Sequence, residues 1–173
     1  MGTLKPPSPE WPDRYYGRDV QTLYTGRVQV TGGEAAHGRA SGVVRSDDGS
    51  LLVDLRLPEA LGGGGGGSNP EQLLAAAYAS CFHGAMTLLA MRAGVKLVDA
   101  RLDVAVSFSR DPVDGLFVLS ARVDVHLPGV ERALAAELIR NTERICPYAK
   151  MFRQGIEHVV ALAPEPAPLA AGG

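Results

Sequence analysis

Residues 68–92 read SNPEQLLAAAYASCFHGAMTLLAMR, and this stretch decides the fold because it predicts one long helix in the middle of the chain. Ser68 or Asn69 can cap that helix by accepting a backbone hydrogen bond, and Pro70 suits the first helical position. If Asn69 is the cap, Gln72 lies where its side chain can complete a capping box. The sequence therefore predicts a helix that begins at Pro70.

The interior of this helix carries no formally charged residue from Leu73 to Met91, and Gly94 is suited to ending it at Met91 or Arg92. That length is enough to cross a bilayer. Many of its residues are Ala, Gly, Ser or Thr, so its hydropathy is only moderate. A helix that is apolar on every side belongs either to a protein core or to a membrane. We expect a long, buried core helix and no membrane insertion.

Strand patterns lie on both sides of the helix, and a second helical pattern follows them. Alternating or β-branched runs predict strands at 22–30, 41–46, 51–57, 101–108, 116–127 and 156–162, with turns at 47–49 and 110–115. Helical spacing predicts a helix over 130–145 that Pro147 ends, then a short helix over 148–154 that Gly155 stops. This order favours an α+β fold with antiparallel strands around two main helices over a doubly wound parallel sheet.

Length and composition fit one domain with two tails. The chain has 173 residues, and its 17 basic and 19 acidic side chains are scattered along it, so no basic footprint for nucleic acid is present. We predict an extended arm over 1–19, a folded domain over 20–162 and a tail over 163–173. No signal peptide is visible, so we expect a cytoplasmic protein whose thiols stay reduced unless they take part in catalysis or sensing.

Six consecutive glycines, Gly62 to Gly67, precede the long helix. A glycine-rich loop before a helix can cradle phosphate. No Lys-Ser or Lys-Thr pair follows the last glycine, so the P-loop pattern fails. We expect a flexible loop near a pocket.

The chain has only two cysteines, Cys81 inside the long helix and Cys146 at the end of the second one. Both could be inert core residues. A reactive Cys81 would need a positive group that lowers its pKa. Arg39 and Arg45 are candidates, whereas His83 points to another side of the helix. The spacing of these residues matches no zinc pattern, so we expect no metal.

The two cysteine segments resemble motifs of a known family. The stretch from Ser68 to Leu73 with YASCFHGA at 78–85 is similar to the first cysteine motif of the organic hydroperoxide resistance proteins, in the osmotically inducible protein C superfamily. ICPY at 145–148 resembles their second cysteine motif. Segments at 23–25, 31–33, 46–49 and 61–63 match their N-terminal part in order. The resemblance covers residues 20–162.

This resemblance implies a thiol-dependent peroxidase. Cys81 would be the peroxidatic thiolate and Cys146 the resolving thiol that forms an intramolecular disulfide with it. In the family an arginine stabilises the thiolate and is held by a glutamate that matches Glu71. The family's arginine follows Gly-Gly directly. Here a short insertion separates Gly32-Gly33 from Arg39, which we prefer for the role, with Arg45 as the alternative.

The resemblance further implies an intertwined homodimer with its active sites at the subunit boundary. It implies alkyl and fatty-acid hydroperoxides as substrates, a lipoylated protein as the dithiol reductant, and no haem, flavin or metal cofactor. Ala149-Lys150 departs from the family's small polar pair. A non-catalytic redox-sensing or ligand-binding module on the same fold is therefore the alternative. A hydrolase pairing Cys81 with His37, His83, His126 or His158 ranks last, because no histidine matches a motif.

Overall fold

The computed structural model of the chain describes residues 15–34 and 40–163, and the elements follow the predicted order. The strands are β1 (Val28–Thr31), β2 (Gly42–Ser46), β3 (Leu52–Leu55), β4 (Arg101–Arg110) and β5 (Phe117–His126). The helices are α1 (Pro70–Arg92), α2 (Arg132–Ile145) and α3 (Pro147–Gln154). The fold is α+β with two antiparallel sheets, as predicted.

The first sheet has the order β1-β2-β3, and the turn at Asp47-Asp48-Gly49 joins its last two strands. One face of β3 turns inward, because Leu55 is buried and Val53 is half-buried between exposed neighbours. The first predicted strand is much shorter than expected, since only its end from Val28 pairs with β2. Residues 22–27 have no neighbouring strand among the described residues and are exposed.

Backbone contacts hold the glycine run against its neighbours in the structure, and its flexibility stays a prediction. Backbone hydrogen bonds join Gly65 to Leu57, and Ser68 to both Asp54 and Arg56. A Cβ at Gly63 would stand 2.0 Å from the carbonyl oxygen of Leu57. Glycine is required there because two backbone segments lie against each other. The loop fixes the start of α1 beside the end of β3.

Helix α1 begins as predicted, with Asn69 as the cap. The Asn69 side chain accepts from the Gln72 backbone N–H at 2.9 Å, and the Gln72 side chain accepts from the Asn69 N–H at 3.2 Å. One face of the helix enters the core through Tyr78, Phe82, Met86, Leu89 and Ala90. The other face remains largely exposed, although it is also apolar.

The predicted hairpin β4–β5 is confirmed, and it packs with α1, α2 and α3 around a core. Its inward residues pair across the strands, as Leu102 does with Val125 and Val104 with Val123. The fully buried Met86 and Leu138 bring α1 and α2 together beneath it. These contacts place the end of α2 against the middle of α1.

The last predicted strand, 156–162, is not a strand in the structure. These residues lie in an exposed, irregular segment, with Val159 and Val160 84% and 91% exposed. A strand forms only against a partner that supplies backbone hydrogen bonds, and no described edge of this chain pairs with the segment. The described part of the predicted N-terminal arm, residues 15–19, is exposed without regular structure, while 1–14 and 164–173 lie outside the described residues.

Candidate active site

The two thiols lie together although 65 residues separate them in the sequence. Cys81 is at the start of the fourth turn of α1 and is partly exposed. Cys146 caps the end of α2 and the start of α3 at once, and its exposure is 0%. Pro147 forces this elbow, because the residue before proline avoids helical geometry. The elbow turns the Cys146 side chain into the core beside α1.

The sulfur atoms of Cys81 and Cys146 are 3.5 Å apart, and both cysteines are free. A disulfide needs about 2 Å between the sulfurs. Bond formation therefore requires a movement of roughly 1.5 Å, which side-chain rotation and small backbone shifts can provide.

Aromatic rings surround the thiol pair. Tyr78 lies one turn before Cys81, and its ring centroid is 4.8 Å from that of Phe152 and 6.4 Å from that of Tyr148. Phe82 meets Tyr78 edge-on at 6.1 Å. Tyr78, Phe82 and the buried Ala149 share a cluster with Cys146, and Tyr148 packs against it. The reacting sulfurs thus lie in an apolar setting.

Burial raises the pKa of the Cys81 thiol from its ordinary value, and the neighbouring Cys146 thiol adds to this increase. The backbone N–H of Tyr148, in the first turn of α3, donates to Cys81 and opposes the increase. No cation within 15–34 or 40–163 contributes to the pKa of Cys81. Within those residues, then, Cys81 favours the protonated thiol.

The residues proposed to make Cys81 reactive are Arg39 or Arg45, together with Glu71. Arg39 lies outside the described residues. Arg45 is on β2, exposed, opposite Gln29 and Leu52. Glu71 is the second residue of α1, ten residues before Cys81, which corresponds to about 15 Å along a helix. The described chain therefore unites the two cysteines but leaves Glu71 well separated from them.

Among the histidines that the structure describes, none completes another kind of site with Cys81. His83 is exposed, and His126 Nε2 is 2.8 Å from an Asp103 carboxylate oxygen. His158 lies in the exposed segment after α3, and His37 lies outside the described residues. The described ranges also hold no group of three His, Cys, Asp or Glu side chains suited to a metal ion.

Two features of the site were not predicted from the sequence. The Tyr148 N–H is a backbone donor, and its only signal is Pro147, which suits the start of a helix. The other feature is a cavity of about 440 Å³ between β5 and the helices, with polar and apolar surface in similar amounts. It is lined by Tyr78 and Phe82, which also pack in one cluster with Cys146, and by Leu119, Ser120, Ala121, Val123, Val125, Ile139, Glu143 and Phe152.

The fold and the thiol pair together define an α+β protein with two free cysteines whose sulfur atoms are 3.5 Å apart. The model of the OsmC-like protein family matches residues 62–161, more than half of the chain. The chain belongs to this family, and it resembles the organic hydroperoxide resistance proteins within it. The resemblance inferred from the two cysteine motifs is confirmed.

Three relatives illustrate this similarity. The organic hydroperoxide resistance protein OhrB of Bacillus subtilis is 36% identical over 135 residues, which cover 78% of this chain and 94% of that protein. The corresponding protein of Xanthomonas axonopodis pv. citri is 37% identical over 145 residues, covering 83% and 96%. The crystal structure of an organic hydroperoxide resistance protein from Legionella pneumophila has a TM-score of 0.68 and 36% identity, covering 78% of this chain and 93% of that one.

Helix α1 is long and apolar enough to cross a membrane by length and composition, with 28% of its most apolar window buried. The core helix of a globular protein passes the same test. The packing of α1 against β4, α2 and α3 accords with a core helix.

Proposed function

We propose that this protein is a cysteine-based peroxidase that reduces organic hydroperoxides to alcohols. The observation that carries the proposal is the 3.5 Å separation between a partly exposed Cys81 and a buried Cys146. The relatives' role in organic hydroperoxide resistance supports it. The exposed thiol is the one that a substrate can reach first.

In the first step the Cys81 thiolate attacks the distal oxygen of the hydroperoxide. The O–O bond breaks, the alkoxide leaves and takes a proton to become an alcohol, and Cys81 becomes a sulfenic acid. The Cys146 sulfur then attacks the Cys81 sulfur and expels water, which leaves the Cys81–Cys146 disulfide. A dithiol, for which we propose a lipoylated protein, returns both cysteines to thiols.

The surroundings of the thiols favour a hydroperoxide with an apolar organic part. Tyr78, Phe82 and Phe152 are among the residues that line the cavity of about 440 Å³, and Tyr78 and Phe82 also pack in one cluster with Cys146. Apolar surface of this kind gains free energy when it covers a hydrocarbon chain. Alkyl and fatty-acid hydroperoxides are therefore the proposed substrates.

The position of Glu71 supports an active site shared between two subunits. If one arginine contacts both Glu71 and the Cys81 sulfur, those groups must lie within hydrogen-bonding reach of one guanidinium. About 15 Å of helix separates them in one chain. A site that combines Cys81 of one subunit with the partner subunit's Glu71, and with Arg39 bound to that glutamate, would bring the three groups together.

The exposed apolar surfaces also support a homodimer. The second face of α1 includes the exposed Met91, and β1 exposes Val28 and Val30 at 60% and 56%. The segment after α3 exposes Val159 and Val160 in the same way. Exposed apolar side chains on these three segments are available to an interface, and we propose that a second copy of the chain covers them.

The proposal is tested by adding about one equivalent of an alkyl hydroperoxide to the reduced protein. Intact mass and peptide mapping should show the Cys81–Cys146 disulfide, and dihydrolipoamide should then sustain peroxide consumption. Cys81→Ser should abolish turnover, and Cys146→Ser should react once and stall or over-oxidise. Two free thiols after peroxide treatment would contradict the proposal. We propose that this chemistry takes place in the cytoplasm.

The second candidate is a non-catalytic redox sensor on the same fold. The short insertion before Arg39 and the departure of Ala149-Lys150 from the family's small polar pair favour it. Slow peroxide consumption with every dithiol tested, together with reversible disulfide formation, would support the sensor.

A further inference from the structure

The disulfide that the proposed function requires has two sulfurs, and the structure gives them unequal access. Cys146 is 0% exposed, held between α2 and α3 and covered by the cluster of Tyr78, Phe82 and Ala149. Cys81 is partly exposed. Additional residues or a second subunit packed on this structure would leave Cys146 fully buried.

Oxidation changes this geometry little. The sulfurs need to approach by roughly 1.5 Å to reach the bonding distance of about 2 Å. The elbow at Cys146 is held on both sides, because its N–H donates to the Thr142 carbonyl at 2.9 Å and its own carbonyl accepts from Lys150 at 3.0 Å. Cys146 therefore stays buried in the disulfide.

We propose that the external reductant attacks the sulfur of Cys81, so that the mixed disulfide forms on the same residue that attacks the peroxide. This inference rests on the proposed function, which requires an open route to the Cys81 sulfur in the assembled protein. An attacking thiolate must approach along the line of the S–S bond and from the far side of the sulfur under attack. At Cys146 that space is filled by protein.

Reduction of the Cys81–Cys146 disulfide takes place by two thiol–disulfide exchanges. A thiolate of the reductant forms a bond to the Cys81 sulfur, the Cys81–Cys146 bond breaks, and its electron pair leaves on the Cys146 sulfur, which takes a proton. The second thiol of the dithiol then attacks its own first sulfur in the mixed disulfide. The reductant leaves as a cyclic disulfide, and Cys81 leaves as a thiolate that the Tyr148 N–H can bind.

One effect opposes this direction. The Tyr148 N–H would stabilise Cys81 as the leaving thiolate, and that favours attack on Cys146. A hydrogen bond changes the rate of an attack that can take place, whereas complete burial prevents the approach itself. Access therefore decides between the two sulfurs.

The test starts from the full chain oxidised with diamide, which forms the disulfide without peroxide. A brief reaction with 2-mercaptoethanol is quenched with acid, free thiols are alkylated with N-ethylmaleimide, and the peptides are mapped. We expect the mercaptoethanol adduct on Cys81 and the alkyl group on Cys146, in at least about tenfold excess over the reverse pattern. An adduct mainly on Cys146, an even distribution, or no disulfide after diamide would overturn the inference.

Single-cysteine variants give a second measurement. The thiol of Cys146→Ser should react with 5,5′-dithiobis(2-nitrobenzoate) at least about tenfold faster than that of Cys81→Ser. Circular dichroism checks that both variants fold, and the peptide map of the unsubstituted chain decides if one does not. If peroxide turnover is normal but the mercaptoethanol adduct forms on Cys146, only this inference is refuted. If there is no peroxide turnover but the adduct forms on Cys81, only the proposed function is refuted.

Discussion

Cys81 accepts a hydrogen bond from the Tyr148 N–H, and this bond works against a burial effect that is larger. A thiolate at neutral pH therefore needs a further positive group close to the sulfur. Arg39 is the residue that the family resemblance suggests, and Arg45 is the alternative. Their effects on Cys81 can be separated because only the arginine that lies close to the sulfur should change the pKa of the thiol.

Replacing Arg39 with alanine should raise the pKa of Cys81 by about one to three pH units, because a positive neighbour favours the charged thiolate. The pH dependence of iodoacetamide alkylation, measured in a Cys146→Ser background, reports this pKa. The alkylation midpoint should move to higher pH, and the rate at neutral pH should fall accordingly. Arg45→Ala is the matched control and should leave the midpoint unchanged. The opposite pattern would assign the role to Arg45.

At the scale of single residues, the sequence predicted Cys81 and Cys146 as the site residues, but it could not predict the distance between their sulfur atoms. The motifs around Cys81 and Cys146 identified both residues. Their separation depends on how α2 packs on α1, where Leu138 and Met86 meet in the core. The Tyr148 contribution was also missed, because a backbone amide has the same chemistry in every residue except proline.

At the scale of elements, the elbow between α2 and α3 positions the resolving thiol. Arg153 on α3 donates to the Glu143 carbonyl at 2.9 Å and contacts the Glu143 carboxylate at 3.1 Å on α2. The two helices are thereby joined on the side away from the core. This contact should limit the motion of Cys146 relative to α1.

Arg153→Ala should slow disulfide formation several-fold while leaving the first reaction with peroxide unchanged. The measurement is the fraction of Cys81 sulfenic acid that dimedone traps before Cys146 reacts. Stability should fall by no more than about 1 kcal/mol, since the ion pair is exposed. Lys150→Ala, an exposed change on the same helix, is the control. Equal trapping in both variants would show that the contact does not position the thiol.

The glycine loop offers a second prediction at this scale. Gly63→Ala should lower the free energy of unfolding by about 1–3 kcal/mol, because the new Cβ would overlap the Leu57 carbonyl. Gly64→Ala should be neutral or slightly stabilising, since nothing lies within 4 Å of its Cβ. Urea denaturation compares the two variants. Equal midpoints would mean that the loop does not pack as described.

The loop and the last strand show where reading elements from the sequence fails. A run of glycines predicts low local order, and the sequence does not show that the N–H groups of Gly65 and Ser68 donate to the carbonyls of Leu57 and Asp54. Residues 156–162 have a strand pattern, but a pattern cannot supply the neighbouring edge. Helix α1 was predicted well because its cap, first proline and length are all local features.

At the scale of the whole molecule, the described chain exposes apolar surface that an isolated protein rarely shows. The three-stranded sheet reaches the helices mainly through the glycine loop rather than by packing on them. A homodimer would cover these surfaces and bring the partner's Glu71 to Cys81. Light scattering should give the mass of two chains.

Mixing two inactive variants tests the shared site. Glu71→Ala and Cys81→Ser homodimers should each have little activity. After exchange of subunits, random pairing should restore about a quarter of the active sites, because half the dimers are mixed and each contains one complete site. A mixture of Glu71→Ala with the double variant Glu71→Ala/Cys81→Ser is the control and should stay inactive. Failure to recover activity in a verified heterodimer would place Glu71 and Cys81 in the same subunit's site.

One residue, Cys146, both ends α2 and begins α3, and this constrains how the chain can vary in length. Each residue added to or removed from a helix turns everything after it by about 100°. A single insertion between Leu138 and Cys146 would therefore aim the sulfur away from α1, even if every side chain were kept. The turn at 111–116 has no such role. Homologous chains should differ in length at the hairpin turn and should have the same number of residues in the second helix.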